Sequence, residues 1–272
     1  RYIEDRRPKI FLLENVEGLT TLDGGKTLST ILKALKAVGS GNRKPGETQA
    51  KGIYDVHWKV LNTSDHGIPQ NRRRWYCVGI RRGVMKVGDT FSFPDPIQCT
   101  PIEKLLDEVT TEAEKESEFV SQNIRCAEQW IRQEGGNPKS GHFIVDCDAS
   151  KTRLHWRKGV SPCLTRARHK GHWLTNKKRR FTKEEMFRLQ GMDPTKFKVV
   201  VSNTKLGQLI GNSMSVNVVE RILIRALEAA GLAANLKDRW ATGRASQKLQ
   251  STVGKTFQKM QKTTDQFNQC SL

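Results

Sequence analysis

The hydrophobic pattern of the first forty residues predicts a strand followed by a helix. Residues 10–13 form a continuous apolar run that stops at the charged Glu14. Such a run is typical of a strand buried on both faces with a functional loop at its C-terminal end. A helix is then predicted from four apolar residues spaced as on one helical face, Leu28, Ile31, Leu32 and Leu35. Gly39 and Gly41 should end this helix.

Two more strands are predicted before residue 95. Apolar residues at alternate positions of the segment 54–60 are separated by Asp55, His57 and Lys59, which indicates a strand with one buried face. The run WYCVGI at residues 75–80 predicts another strand, reached through a turn at residues 67–69.

The pattern changes at residues 94–96, Pro-Asp-Pro, after which the sequence is charged and weakly periodic. We therefore place a domain boundary there. Further along, Thr182 and Glu185 form a T-x-x-E capping box that should open a short helix through Leu189.

A turn at residues 211–213, Gly-Asn-Ser, is predicted to precede a long amphipathic helix that ends at Gly231. The apolar face of this helix is marked by Val218, Val219, Ile222, Ala226 and Ala229. Residues 233–272 are mostly polar and predict a basic tail of helix or coil.

Composition adds the kind of partner. The 272 residues include 47 Lys and Arg against 28 Asp and Glu, a formal net charge of +19, and 36% are hydrophobic. That apolar fraction is enough for a core, so disorder of the whole chain is excluded. The longest apolar runs are far shorter than the ~18–20 residues of a membrane-spanning helix, so we expect no integral membrane protein. The charge favours binding of a polyanion.

The positive charge is concentrated in one segment. Residues 151–183 contain twelve Lys or Arg, three His and no acid, whereas residues 103–118 contain seven acids and two Lys. The basic segment is predicted to face the polyanion. His169 and His172 have an H-x-x-H spacing, but no Cys or carboxylate accompanies them, so no zinc site is predicted.

The cysteines and the first residues indicate an intracellular protein. Six Cys without any C-x-x-C motif, and no signal-peptide pattern, predict reduced intracellular thiols. The opening residues RYIEDRRPK contain no initiator Met and run straight into a strand. We expect the chain to begin inside a larger protein or to be incomplete.

Four segments, in this order along the chain, resemble the second half of the cytosine-5 DNA methyltransferases. Residues 14–16 resemble the E-N-V motif of that family, and Gln70, Arg72 and Arg74 resemble its Q-x-R-x-R motif. Residues 161–165 resemble the segment after the target recognition region, and residues 211–213 resemble the last motif. The resemblance covers about residues 8–95 and 153–230.

The resemblance implies how cytosine would be activated. In this family a cysteine thiolate adds to carbon 6 of the base, and carbon 5 then attacks the methyl group of S-adenosylmethionine. An acid that hydrogen-bonds or protonates ring nitrogen 3 makes the ring electrophilic, and the resemblance gives this role to Glu14. A guanidinium near the carbonyl oxygen at ring position 2 stabilises the developing charge, a role implied for Arg74 with Arg72 in support.

The resemblance also implies contacts outside the reacting ring. Asn15 would position neighbouring backbone, and Asn212 and Met214 would contact S-adenosylmethionine. Met214 departs from the family, which usually has Val after the Ser. The residues expected to bind double-stranded DNA are Gln70, Arg166, Arg168, Lys170, Lys177, Lys178, Arg179 and Arg180.

Each motif alone has a simpler interpretation. Glu14 and Asn15 could cap the next turn. The basic run at 72–74 could be a solvated charge cluster, an interpretation we keep for Arg73 because it points opposite to its neighbours in a strand. Residues 211–213 could start a helix with Ser213 or Ser215 as the N-cap.

Two parts that the family needs are not found at their expected places. The Gly-rich turn that cradles the cofactor and the Pro-Cys dipeptide that supplies the nucleophile should both precede the E-N-V segment, and only thirteen residues precede Glu14. Cys163 also follows a Pro, but it occupies the variable position of the S-P-x-L-T pattern in a basic loop. It is rejected as the nucleophile, although a thiol among cations can be reactive without being catalytic.

The resemblance implies an α/β fold, a partial doubly wound Rossmann-like sheet with a smaller irregular target recognition domain. We predict that residues 1–95 belong to the catalytic domain and 96–180 to the recognition domain with its basic loop. Residues 181–232 would return to the catalytic domain, and 233–272 would form the tail. The missing parts would come from an N-terminal segment or a separate chain, and the isolated chain would be inactive.

Three functions follow from this interpretation. The preferred one is part of a DNA cytosine-5 methyltransferase, intracellular, and nuclear in a eukaryote or with the nucleoid otherwise. The alternatives are a catalytically empty DNA-binding or regulatory paralogue and an RNA cytosine methyltransferase of the same fold.

Overall fold

The computed structural model describes residues 1–41, 52–84, 90–108 and 115–257. These residues form two compact units. Unit 1 contains Arg1–Thr100 and Met214–Ser246, and unit 2 contains Pro101–Ser213 and the described residues from Gln247 onward. The assignment of catalytic and recognition roles to parts of the chain stays a prediction.

Unit 1 is built on a sheet of three strands, β1 (Ile10–Val16), β2 (Tyr54–Asn62) and β3 (Arg73–Arg81). The order is β1-β3-β2, and both pairings are antiparallel. Two helices in the first forty residues flank β1, α1 (Tyr2–Arg6) before it and α2 (Lys26–Ala37) after it. The predicted strands and helix are therefore all present, and α2 ends where predicted, before Gly39 in the left-handed region with φ 75°.

Helices cover both faces of this sheet. On one face the buried side chains Phe11, Trp75 and Cys77 pack against Leu28 and Leu35 of α2. Successive residues of a strand point to opposite faces, so the neighbouring residues of β3 form the other face. There, Tyr76, Val78 and Ile80 pack against α6 (Val216–Ala229) through Val218 and Ile222. The result is an open α/β sheet with a helix on each side.

Burial of the outer strands differs from prediction. The structure places β1 at an edge of the three-stranded sheet, and within the run 10–13 only Phe11 is buried. On β2 the core cluster includes Tyr54 and Val56 but not Trp58, which is 43% exposed. Both strands have a neighbour on one side in the described sheet, and the helices cover only part of their length.

Unit 2 combines a helix with a small sheet. Helix α3 (Glu118–Gln133) packs through Val120, Ile124 and Ala127 on Val145 and Cys147. The strands of the sheet are β4 (Phe143–Val145), β5 (Trp156–Lys158), β6 (Trp173–Leu174) and β7 (Arg179–Arg180). Their order is β5-β4-β6-β7, and neighbouring strands are antiparallel.

The capping box predicted in this unit is present. Thr182 accepts from the backbone N–H of Glu185, and the Glu185 carboxylate accepts from the backbone N–H of Thr182, so α4 (Lys183–Leu189) starts and ends as predicted.

The predicted turn at residues 211–213 is a helix end instead. Gly211 and Asn212 complete α5 (Asn203–Asn212), and Ser213 is its C-cap. The glycine is needed for packing, because a Cβ atom at Gly211 would lie 2.2 Å from the carbonyl carbon of Thr165. Gly207, one turn earlier, approaches the carbonyl oxygen of His169 in the same way, at 2.0 Å for a Cβ. Helix α5 therefore seats directly on the backbone of the loop 165–169.

The described part of the C-terminal segment packs more than its polar composition suggests. It contains α7 (Arg244–Gln250), and Trp240 and Leu249 are buried. Trp240 also donates from Nε1 to Glu220 of α6 at 3.2 Å. Residues 258–272 of the predicted tail lie outside the described residues.

Candidate functional site

The acid predicted for catalysis and one of the predicted guanidiniums lie together. Glu14 pairs with Tyr76 in the β1–β3 register, and Arg74 is two residues from Tyr76 along β3, so all three side chains share one face. Oε1 of Glu14 is 3.2 Å from Nε of Arg74, with the two side chains 17% and 13% exposed. The sheet thus brings both groups to one partly buried place near the end of β1.

Arg72 lies just before β3, two residues before Arg74 along the chain. Its side chain is buried, as is that of Tyr76. Burial and the nearby Glu14 carboxylate raise the pKa of the Tyr76 phenol, while Arg72 and Arg74 act in the opposite direction. All three charged groups therefore act electrostatically on the same tyrosine. We refer to Glu14, Arg72 and Arg74 as the acid–guanidinium cluster.

Arg73 points to the other face, as predicted. Its Nε donates to both carboxylate oxygens of Glu17 at 2.8 and 2.9 Å. This contact lowers the pKa of Glu17. The three consecutive arginines therefore divide into two that join the cluster and one that makes a surface ion pair.

Asn15 contacts the neighbouring backbone, and Gln70 lies in the interior of unit 1. Oδ1 of Asn15 accepts from the backbone N–H of Val16 at 2.8 Å, and the role of Asn15 stays a prediction. Gln70 is fully buried inside unit 1. This interior position differs from the prediction that Gln70 contacts DNA.

Sequence reasoning missed a set of buried polar residues around the backbone of Arg72. The set consists of Thr63, His66, Ser215, Asn217 and Arg221. A signal was available, because Asn217 and Arg221 are spaced i, i+4 on a helix whose other inward residues are apolar. Polar residues on an apolar helix face need buried partners.

The two residues predicted to contact the cofactor are both exposed. Asn212 ends α5 in unit 2, and Met214 belongs to unit 1 with 43% exposure. A shallow groove of about 380 Å³ begins at Met214 and runs along α6. It is lined by Met214, Val216, Val219, Glu220, Leu223, Ile224 and Leu227. This wall is apolar, which fits the flat face of an adenine ring.

The basic segment is only partly available to DNA. Arg166, Lys170 and Lys178 are exposed. Arg168 and Lys177 are less accessible, because Arg168 pairs with Asp146 at 2.5 Å and Lys177 with Glu108 at 3.0 Å. Further exposed basic residues lie earlier in the same segment, at Lys151, Arg153, Arg157 and Lys158.

Arg179 and Arg180 differ from the prediction that they contact DNA. Arg179 is buried and donates two hydrogen bonds to the carboxylate of Glu185, at 2.7 and 2.8 Å. Arg180 lies between Glu116 and Asp148 and donates two hydrogen bonds to each. Their charge is neutralised inside unit 2, which the composition of the segment could not show because Glu116 and Asp148 are distant in sequence.

The cysteines and histidines form no metal centre among the described residues. His172 is buried, and burial lowers its pKa to about 4. Cys77 lies on the α2 face of the sheet, opposite the acid–guanidinium cluster, and burial raises its pKa to about 12. Within the described ranges no helix is long and apolar enough to cross a membrane.

Comparison with known proteins gives one family. The C-5 cytosine-specific DNA methylase family matches residues 1–228. The Type II methyltransferase M.NgoBI of Neisseria gonorrhoeae is 33% identical over 80% of this chain and 61% of its own length. The Type II methyltransferase M1.ScrFI of Lactococcus lactis subsp. cremoris is 31% identical over 84% of this chain and 54% of its own length. The chain thus covers between half and two thirds of these relatives.

Solved structures agree on the fold. The Entamoeba histolytica methyltransferase EhMeth has a TM-score of 0.51 and 16% identity, covering 81% of this chain and 63% of its own. A putative DNA modification methyltransferase from an Escherichia coli prophage has a TM-score of 0.50 and 18% identity, covering 85% of this chain and 72% of its own. These similarities support the predicted Rossmann-like class.

Proposed function

The chain belongs to the C-5 cytosine-specific DNA methylase family, and from this premise we propose that it is part of an enzyme that methylates carbon 5 of cytosine in double-stranded DNA. The observation that supports this best is the 3.2 Å approach of Glu14 to Arg74. The cluster places an acid and guanidiniums together, as activation of a pyrimidine ring requires.

Each member of the cluster has a role in this proposal. Glu14 hydrogen-bonds ring nitrogen 3 of the target cytosine and holds a proton there. Arg74 lies beside the ring oxygen at position 2, where its fixed charge stabilises the negative charge that develops on the ring. Arg72 adds a second positive charge that supports Arg74 in this role. The base must leave the DNA stack to reach these groups.

S-adenosylmethionine is the methyl donor of the family, and when bound it supplies the methyl group that carbon 5 accepts. In unit 1, Met214 and the apolar wall of α6 would hold the adenosine part of this molecule. The role of Asn212 rests on the family pattern alone.

The DNA-binding residues in this proposal are a subset of those predicted. Arg166, Lys170 and Lys178 are exposed and bind phosphates, together with the exposed Lys and Arg residues between positions 151 and 158. Arg179 and Arg180 contribute by holding unit 2 together rather than by touching DNA.

We propose that the nucleophilic thiolate comes from a segment or chain outside these 272 residues. Cys77, the cysteine on strand β3, faces away from the cluster and is held as a thiol at neutral pH by its raised pKa. No Pro-Cys precedes Glu14 in the sequence. Cys163 occupies the variable position of the S-P-x-L-T pattern.

A transfer assay with tritiated S-adenosylmethionine tests the function. The chain is mixed with duplex DNA or with transfer RNA, with and without a fragment of another family member that is chosen because it carries a Gly-rich turn and a Pro-Cys. We expect label in DNA only when the fragment is added. DNA binding with no transfer under either condition would favour a catalytically empty paralogue, and preferential labelling of transfer RNA would favour an RNA enzyme.

A further inference from the structure

A buried hydrogen-bond network in unit 1 connects the start of α6 to the backbone of Arg72. The backbone N–H of Thr63 donates to the carbonyl of Arg72 at 3.1 Å, and the Thr63 hydroxyl lies 3.4 Å from the same oxygen. Oγ of Ser215 is 2.7 Å from that hydroxyl. The two hydroxyls are hydrogen-bonded to each other, and either one can be the donor.

Asn217 fixes the turn that carries Thr63. Its Nδ2 donates to the carbonyl of Thr63 at 3.1 Å and to the carbonyl of His66 at 2.8 Å. Asn217 is completely buried, so water cannot replace either bond. One amide therefore holds both ends of the turn 63–66 against α6.

Arg221 closes the network on the next turn of α6. It donates from Nη1 to Nδ1 of His66 and from Nε to Asp238, the latter at 2.7 Å. A guanidinium cannot accept a hydrogen bond, so His66 is the acceptor and keeps its proton on Nε2. The network consequently has a single arrangement of donors and acceptors around His66.

We propose that Asn217 is a positioning residue that, through Thr63, sets where Arg72 and Arg74 present their guanidiniums. The reason is that Arg72 is fixed by its carbonyl immediately before β3, so a shift of the 63–66 turn is transmitted to the first residues of that strand. Met214 lies two residues before the start of α6, so the network ties the guanidinium residues to the neighbourhood of the proposed cofactor contact. This inference rests on the proposed function.

Kinetics of the complemented methyltransferase give the first test. Thr63→Val keeps the shape but removes the hydroxyl, whereas Thr63→Ser retains it. Asn217→Asp keeps the size but removes both amide N–H donors. We expect Thr63→Val and Asn217→Asp to lower kcat on the order of tenfold to a hundredfold through misplacement of the guanidiniums. KM for DNA and for S-adenosylmethionine should change little, and Thr63→Ser should restore kcat.

Arg225→Gln is the matched control, because Arg225 is an exposed residue of α6 and the change alters net charge by the same amount as Asn217→Asp. It should leave kcat unchanged. A Thr63→Val variant with a lower melting temperature but unaltered kcat would show a merely structural network and overturn the proposal.

The isolated chain gives a test that does not need activity. The side-chain Nε–H resonances of Arg72 and Arg74 are followed by ¹H–¹⁵N NMR in the wild type and the same variants. Thr63→Val should shift both resonances, and Arg225→Gln should shift neither. Unmoved arginine resonances in Thr63→Val would overturn the positioning role, whereas shifted resonances in a protein that never transfers methyl groups would sink only the proposed function.

Discussion

Nη2 of Arg179 lies 2.7 Å from Oε1 of Glu185, and the side chains are 6% and 0% exposed. A second hydrogen bond joins the same guanidinium and carboxylate at 2.8 Å, so the pair is bidentate. Arg179 stands beside Lys178, which is exposed. Two neighbouring basic residues of the most positive segment therefore differ: Arg179 is buried in an ion pair, and Lys178 faces solvent.

This difference can be measured as stability. Arg179→Ala leaves the Glu185 carboxylate buried without its charged partner, and we expect a loss of about 3–5 kcal/mol in the free energy of unfolding. Lys178→Ala removes only a solvated charge and should change it by less than about 0.5 kcal/mol. Urea denaturation of both variants measures the difference. Equal stabilities would mean that the ion pair contributes little.

The salt dependence of DNA affinity tests whether the exposed basic residues contact phosphates. We expect the triple variant Arg166→Ser, Lys170→Ser, Lys178→Ser to bind DNA more weakly. The slope of log K against log salt concentration should become shallower by up to about 0.9 for each phosphate that the variant no longer neutralises. Titrations of a labelled duplex at several salt concentrations provide the slope. An unchanged slope would remove these three residues from the interface.

Glu14→Gln should separate catalysis from binding. The amide keeps the size of the side chain but cannot deliver a proton, so we expect turnover of the complemented enzyme to fall by about 10²–10⁴-fold. DNA affinity should stay close to that of the wild type. Glu17→Gln is the control, since Glu17 pairs with Arg73 on the opposite face. Equal losses of turnover and affinity in Glu14→Gln would contradict the assigned role.

Gly211→Ala should destabilise unit 2. The added Cβ would lie 2.2 Å from the Thr165 carbonyl carbon, so the helix or the loop must move. Overpacking of this kind costs about 1–3 kcal/mol. Gly18→Ala is the control, because a Cβ there has no atom within 4 Å and the backbone is not left-handed. Thermal unfolding of the two variants should differ clearly, and similar melting temperatures would argue against the close contact.

The stability of the fold should depend on His66 below neutral pH. Burial and Arg221 lower its pKa to about 4, whereas the unfolded chain has the ordinary value of 6.5. The unfolded state therefore binds more protons between these values, and stability is full above pH 6.5 and falls as pH drops towards 4. His66→Gln should reduce this slope in urea titrations at several pH values. A slope as steep as that of the wild type would assign the effect to other groups.

Local patterns predicted the local structure well. The spacing of Leu28 and Leu35 predicted α2, and the capping box at Thr182 predicted α4, because both signals lie within a few residues of the element they describe. The cluster of Glu14 and Arg74 was also predicted, although from a family resemblance rather than from spacing. Pairing of β1 with β3 is what makes that juxtaposition real.

Long-range pairing is what the sequence did not show. Arg180 finds its partners Glu116 and Asp148 at separations of 64 and 32 residues, and no periodicity indicates such contacts. The same limit explains why residues 211–213 were predicted as a turn. The glycine there serves close approach to Thr165, which is distant in sequence, and its presence looks like a loop signal when the sequence is considered alone.

The packing of α5 against the loop 165–169 has a consequence for the DNA binding that we propose. Gly207 and Gly211 let the helix press against the loop backbone at His169 and Thr165, on either side of Arg166. A cation on a braced backbone loses less conformational entropy when it meets a phosphate than one on a floppy loop. The basic side chains would then be preorganised before the duplex binds, and binding would not require the loop to become ordered.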